Sequence, residues 1–223
     1  TPGGIFVAAQ TTAAVTDGEG GAYLAQPAAL SATMLEGSKG FGVALADDLV
    51  DQLLGGLWAA GAFDKSLPIS SVGILAALLD ADATTLDIKL ALPPTVTPSG
   101  ADLSLAVGDA IITVQDASGA PLQQIALSIK TTLAAGPTQS GKLTLTLGTP
   151  EIHAMVVEQA TSVSRPLTDE QVEGLVTSAW GVLSDQAGTA LGNLPMPSIA
   201  GVTLGTSTVK GADAVVAADV QVM

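Results

Sequence analysis

The chain has 223 residues, no cysteine, seven Lys and Arg against 21 Asp and Glu, and a formal net charge of −14. Hydrophobic residues make up 48%, charged residues 13% and aromatics 3%, so the apolar mass is aliphatic and much of the surface is built from small neutral side chains. This excludes disulfides and thiolate chemistry and argues against a nucleic-acid partner, whose phosphates call for clustered cations. It also argues against an anionic membrane or lipopolysaccharide as an electrostatic partner, and the apolar runs fall short of the roughly 18–20 residues that span a bilayer.

In chain order, residues 3–45 read as strands. Ile5 to Ala9 and Ala22 to Ala25 flank the turn chemistry of Thr16-Asp17-Gly18-Glu19-Gly20-Gly21, and Phe41, Val43 and Leu45 alternate before Asp47-Asp48. A helix follows, with an aspartate to cap its free N–H groups. Val50, Leu53, Leu54, Leu57 and Trp58 fall on one face at i, i+3, i+4, i+7 and i+8, and Gly61 is placed to end it. Gly55-Gly56 inside it costs about 1 kcal/mol per residue relative to Ala, so something packs closely there. Val72 to Leu79 reads as a further short helix.

A run of strands comes next. Leu86, Ile88, Leu90 and Leu92 alternate up to Pro93-Pro94; Leu103, Leu105 and Val107 lead toward Val114; and Asp116-Ala117-Ser118-Gly119 is a hairpin turn. Ile125, Leu127, Ile129, Thr131 and Leu133 return, Gly136 to Gly141 turns again, and Leu143, Leu145 and Leu147, then Ile152, Ala154 and Val156, complete an antiparallel meander with one apolar face.

Residues 168–191 are the most legible element. Thr168 and Gln171 have capping-box spacing, and Val172, Leu175, Val176, Ala179, Leu183, Ala187, Ala190 and Leu191 hold one stripe up to Gly192. At about 1.5 Å per residue the helix spans about 36 Å, the length of a domain. Leu194-Pro195-Met196-Pro197 connects to two last strands, through Val202, Leu204 and Val209 and then Ala214, Val216, Ala218, Val220 and Val222. No fixed-period repeat or low-complexity linker divides the chain, so a single domain over residues 1–223 is expected.

The order of strand, capped helix, short helix, long meander, long helix, Pro-rich connector and final hairpin resembles the tubular lipid-binding (TULIP) superfamily, in particular the C-terminal module of the bactericidal/permeability-increasing (BPI) and lipid-transfer proteins. Three stretches carry the resemblance: Gly42 through Phe63, Leu92-Pro93-Pro94 before Ala101-Asp102-Leu103, and Leu194-Pro195-Met196-Pro197 through Val220. It covers most of residues 40–223. It implies an α+β fold in which a strongly curved antiparallel sheet wraps around the long C-terminal amphipathic helix, with a second, shorter helix, and an apolar tunnel between helix and sheet. The implied ligand is an acyl lipid or sterol, bound without catalysis. Leu53, Leu54, Leu57, Trp58, Val172, Leu175, Val176, Ala179 and Leu183 are the residues expected to line the tunnel.

The chain departs from the family's two-module members in lacking a second copy and in being acidic where bactericidal members are basic, which favours a neutral lipid. The resemblance and the Ala/Gly/Thr-rich, Lys-poor composition imply a bacterial, extracytoplasmic protein, either a mature form or a fragment, since the chain starts at Thr1 without a signal segment. The alternative is a structural or assembly module of a larger complex, with a partner module or protein and a filled tunnel.

The remaining motifs point to structure rather than chemistry. Gly136-Pro137-Thr138-Gln139-Ser140-Gly141-Lys142 nearly spells a phosphate loop, but Leu143 follows where Ser or Thr must bind magnesium, and a strand follows where a helix is needed. His153 is the sole histidine, and its neighbours Ile152 and Ala154 face the other way, so it reads as an exposed strand residue rather than part of a triad or zinc site. Asp47-Asp48, Asp80 with Asp82, and Asp169-Glu170 read as structural carboxylates, not as a glycosidase pair, and Asp17-Gly18-Glu19 has too few ligands for a calcium loop. Trp58 and Trp180 read as core or as tunnel wall. No cofactor, metal site or enzymatic activity is expected.

Overall fold

The computed structural model describes residues 41–71, 76–99, 102–139, 142–191, 203–210 and 215–221. The expected strands before residue 40, the connector at 194–197, Gly192, Val202, Ala214 and Val222 lie outside the described residues. The side chains of Leu183, Ala187, Ala190 and Leu191 lie outside the description as well.

Strand β1 (Phe41–Ala46) runs directly into helix α1 (Asp47–Ala59). The helix ends as a left-handed cap: Gly61 has φ +70°, Ala62 N–H donates to Leu57 O at 2.9 Å, and Gly61 N–H donates to Trp58 O at 2.9 Å. These two bonds satisfy carbonyls that the last turn leaves unpaired, and only glycine takes that φ without strain. Gly55 and Gly56 are both buried, in keeping with close packing at that point.

After α1, strand β2 (Lys65–Pro68) leads into a single 3-10 turn, Ile69–Ser71. The short helix expected over Val72 to Leu79 is thus replaced, in its described part, by tight turns: residues 72–75 lie outside the description and residues 76–77 form another 3-10 turn. A segment this short closes too few backbone bonds to hold a regular helix.

Strands β3 (Thr85–Leu90), β4 (Thr95–Ser99), β5 (Asp102–Gln115), β6 (Pro121–Gln139), β7 (Lys142–Leu147) and β8 (Glu151–Gln159) form the meander. Helix α2 is continuous from Asp169 to Leu191, and strands β9 (Thr203–Lys210) and β10 (Val215–Gln221) follow. Among the described residues the fold is α+β: one large antiparallel sheet ordered β1-β10-β9-β6-β5-β3-β2, with β4 on β5 and both β7 and β8 on β6, and two α-helices. Among the described strands the sheet is open, with β1 and β2 at its ends.

The 19-residue β6 is its spine. One edge pairs with β5 and, at Pro137, with β9; the other pairs with β8 and then β7. β6 therefore runs through Gly136, which the composition of that stretch marks as a turn. Gln139 pairs with Lys142 after a register shift between Gly136 and Gln139. Of the near-phosphate-loop residues, Gly136 to Gln139 thus belong to β6 and Lys142 to β7, two paired strands.

Two apolar clusters form the core. The larger gathers Ile69, Leu79, Leu86, Ala110, Val114, Leu122, Ile125, Leu127, Leu167 and Val172; the smaller gathers Leu54, Val96, Leu103, Leu105 and Leu133. Strand β4, whose Pro98 obscures its strand character in the sequence, supplies Val96, only 1% exposed.

Candidate functional site

The register of the central strands puts aliphatic side chains in rows across one face, because directly opposed residues share a side of the sheet. Ile88, Ile112, Ile125 and Val156 form one row; Leu90, Ala110, Leu127 and Ala154 form the next; Val107, Ile129 and Ile152 form a third. No charged side chain stands in these rows, since alternation sends Asp87, Lys89, Lys130 and His153 to the opposite face. Ile125, Leu127 and Ala110 are buried, whereas Ile88, Leu90, Val107, Ile112, Ile129, Ile152, Ala154 and Val156 are only half-buried. The face is therefore a wide aliphatic surface that the described elements cover only in part.

Helix α2 covers the β8 side of that face. Val172 is buried in the larger cluster, and Leu175 and Val176 pack against it half-buried. The helix is fastened there by polar bonds. Thr168 N–H donates to Gln171 Oε1 at 2.9 Å and Gln171 N–H donates to Thr168 Oγ1 at 3.3 Å, the expected capping box. Asp169, expected to act at the helix start, accepts a bond from outside the helix: Val156 N–H donates to its Oδ1 at 2.8 Å. Ala154 N–H donates to Glu173 Oε1 at 3.0 Å, so two carboxylates one helical turn apart accept from the N–H groups of Ala154 and Val156 on β8. Farther along, Trp180 Nε1 donates to Gly148 O at 2.8 Å, and Thr131 Oγ1 donates to the same carbonyl at 3.0 Å.

The loop before α2 is held by Asp80, which is 8% exposed. Its carboxylate accepts from Asp82 N–H at 3.1 Å, Ser164 N–H at 2.7 Å, Ser164 Oγ–H at 2.8 Å and Arg165 N–H at 3.0 Å. These donors, the Asp82 amide foremost and then the Ser164 hydroxyl, stabilise the anion and lower its pKa from 3.8 to about 2.

The proposed tunnel residues fall into separate groups. Val172, Leu175 and Val176 adjoin the aliphatic rows, and Ala179 is half-buried on the same helix stripe. Leu54 belongs to the smaller cluster with Val96 and Leu133, while Leu53, Leu57 and Trp58 are half-buried on α1. Trp58 Nε1 donates to Leu90 O at 2.7 Å, which ties α1 to the end of β3. Leu183 is in α2, with its side chain outside the description. An open depression of about 410 Å³ lies elsewhere, at the far end of the β6–β8 pair, lined by Pro121, Leu122, Gln123, Gln124, Glu158, Gln159 and Ala160.

No family model matches the chain, and no curated protein matches it. Among solved structures it is similar to a lipopolysaccharide binding protein, at 15% identity and a TM-score of 0.49, over 82% of this chain and 43% of that one. The chain thus spans less than half of that protein's length.

His153 is 73% exposed, with Nε2 3.5 Å from Glu151 Oε1. Among the described residues no group of three His, Asp or Glu gathers in a way that could hold a metal ion, and no described helix is long and apolar enough to cross a membrane. Sequence reasoning missed Asp51, whose Oδ1 accepts Val96 N–H at 2.6 Å, and Gln123, which pairs with the chain at the start of α2. Both bonds join residues more than 40 positions apart, a distance at which local pattern carries no signal.

Proposed function

We propose that the protein binds a hydrophobic ligand, an acyl lipid or sterol, without catalysis, between α2 and the sheet, which curls around it. The observation that carries this reading is the set of uncharged rows beside α2, where eight aliphatic residues remain half-buried. A tail gains about 0.8 kcal/mol per buried CH₂, so an aliphatic slot with few polar contacts is enough to hold one. The net charge of −14 disfavours an anionic headgroup and leaves neutral lipid or sterol as the preferred class. The TULIP-like order of elements in the sequence supports the same reading, and an extracytoplasmic location goes with it.

The test is native mass spectrometry of purified protein, followed by uptake of a fluorescent acyl probe after lipid extraction. A co-purifying neutral lipid, and loss of uptake in Ala179→Trp with little change in thermal midpoint, support binding in that slot. A lipid-free parent that takes up no probe, together with a destabilised Ala179→Trp, assigns the domain to assembly instead.

A further inference from the structure

Alternate residues of β6 point to the face that carries the aliphatic rows. From 123 to 131 they are Gln123, Ile125, Leu127, Ile129 and Thr131, so a polar side chain stands at each end of an aliphatic run. Both polar ends are buried, at 3% and 4% exposure, and both are tied to α2. Gln123 exchanges two hydrogen bonds with the backbone of Leu167, just before the helix begins. Thr131 Oγ1 and Trp180 Nε1 donate to the same carbonyl, Gly148 O, at 3.0 and 2.8 Å. The helix is thus pinned to the sheet at two places. Between the pins, Val172, Leu175 and Val176 meet the aliphatic side chains of the sheet.

We infer that the two pins are the ends of a ruler, and that the slot between α2 and the sheet selects an unbranched acyl chain of up to about sixteen carbons over sterols and longer chains. This deepens the binding reading given above and rests on it.

The length follows from the strand. Gln123 and Thr131 are eight residues apart on β6, about 27 Å at the rise of an extended chain. Contact distances of about 4 Å at each end leave about 19 Å, the stretched length of about sixteen carbons. A longer chain has to break a buried hydrogen bond to pass either pin, which costs far more than the next methylene gains. Between the pins, parting helix from sheet costs aliphatic contacts that the chain replaces in kind. The bonds of Asp169 and Glu173 go to β8, so they hold that side while the β5 side opens. The middle of α2 is suited to bowing: Thr177 Oγ1 and Ser178 Oγ donate to the carbonyls of Glu173 and Gly174 at 2.7 and 2.8 Å, a pattern that bends helices. A helix held at both ends rises far enough for a thin, flexible chain, whereas a rigid ring system needs it to rise along its whole length.

Displacement of a fluorescent acyl probe from the full, delipidated chain by monoacylglycerols of increasing length tests the ruler. Affinity should rise about tenfold for every two carbons added, then level off near sixteen carbons. Cholesterol should compete at least tenfold more weakly than the best acylglycerol. Ile129→Trp, which fills the floor one row short of Thr131, should move the break to shorter chains by about four carbons. Trp180→Leu, which removes one pin, should move it to longer chains, and serves if Ile129→Trp folds badly. Met155→Trp, on the opposite face of β8, should leave the break where it is. Affinity that keeps rising through twenty carbons, a break that neither slot variant moves, or cholesterol that competes equally overturns the ruler while the binding reading stands. A parent that takes up neither the probe nor any acylglycerol overturns both.

Discussion

The side-chain amide of Gln123 pairs with the backbone of Leu167 in both directions, its Nε2 donating to Leu167 O at 2.8 Å and its Oε1 accepting from Leu167 N–H at 3.1 Å. Gln123 thus stands in for a neighbouring strand at the point where the chain enters α2. At 3% exposure, neither side of the pair has water as a substitute. Gln123→Met should therefore strand two backbone groups and destabilise the fold by about 1–3 kcal/mol in urea unfolding. A cost below about half a kcal/mol would show that α2 is placed without this bond.

The carboxylates of Asp169 and Glu173 make a second prediction. Together they accept from the N–H groups of Ala154 and Val156 on β8. The double replacement Asp169→Ala with Glu173→Ala should speed amide hydrogen exchange at Ala154 and Val156. The amides of β6 that pair with β5 should keep their protection. Uniform acceleration would mean that the carboxylates support global stability rather than β8 at those two amides.

Acid sensitivity follows from Asp80. Its folded pKa, about 2, lies below the value of 3.8 it takes without its partners. Its contribution is therefore complete above about pH 4 and is lost as the pH falls toward 2. Asp116, lowered by the Ser118 hydroxyl and by the Ala120 amide in the β5–β6 hairpin, titrates in the same sense. Thermal midpoints measured from pH 6 to pH 2 should fall less steeply in Asp80→Asn than in the parent, with a residual slope left by Asp116. Parallel curves would rule out a protonation-linked role for Asp80.

Gly148 gives a steric test. A Cβ there would collide with the Thr132 side chain, while the Gly148 carbonyl already accepts from Thr131 and Trp180. Gly148→Ala should cost about 1–3 kcal/mol through overpacking and shift Trp180 fluorescence. Adding Thr132→Ala should recover most of that loss, and no recovery would place the strain elsewhere.

What the sequence determined by itself is local. Thr168 and Gln171 announce the start of α2 because each supplies what the other's backbone lacks within three residues. Alternation of Leu86, Ile88 and Leu90 marks β3, and Gly61 marks the end of α1, for the same reason: neighbours in the chain suffice to define the pattern. Asp116-Ala117-Ser118-Gly119 closes its hairpin as read, with Gly119 at φ +81°. Tertiary structure alone decided the rest. Asp51 caps an edge of β4, Gln123 serves as a surrogate strand, and β6 continues through Gly136 because β7 and β9 lie beside it. Each of these depends on a partner distant in sequence, and a lone carboxylate, amide or glycine has the same local appearance whether or not that partner is there. The sharing of the α1 and α2 stripes between two clusters was likewise hidden, since periodicity shows that a helix has an apolar face but not which part of the sheet covers it.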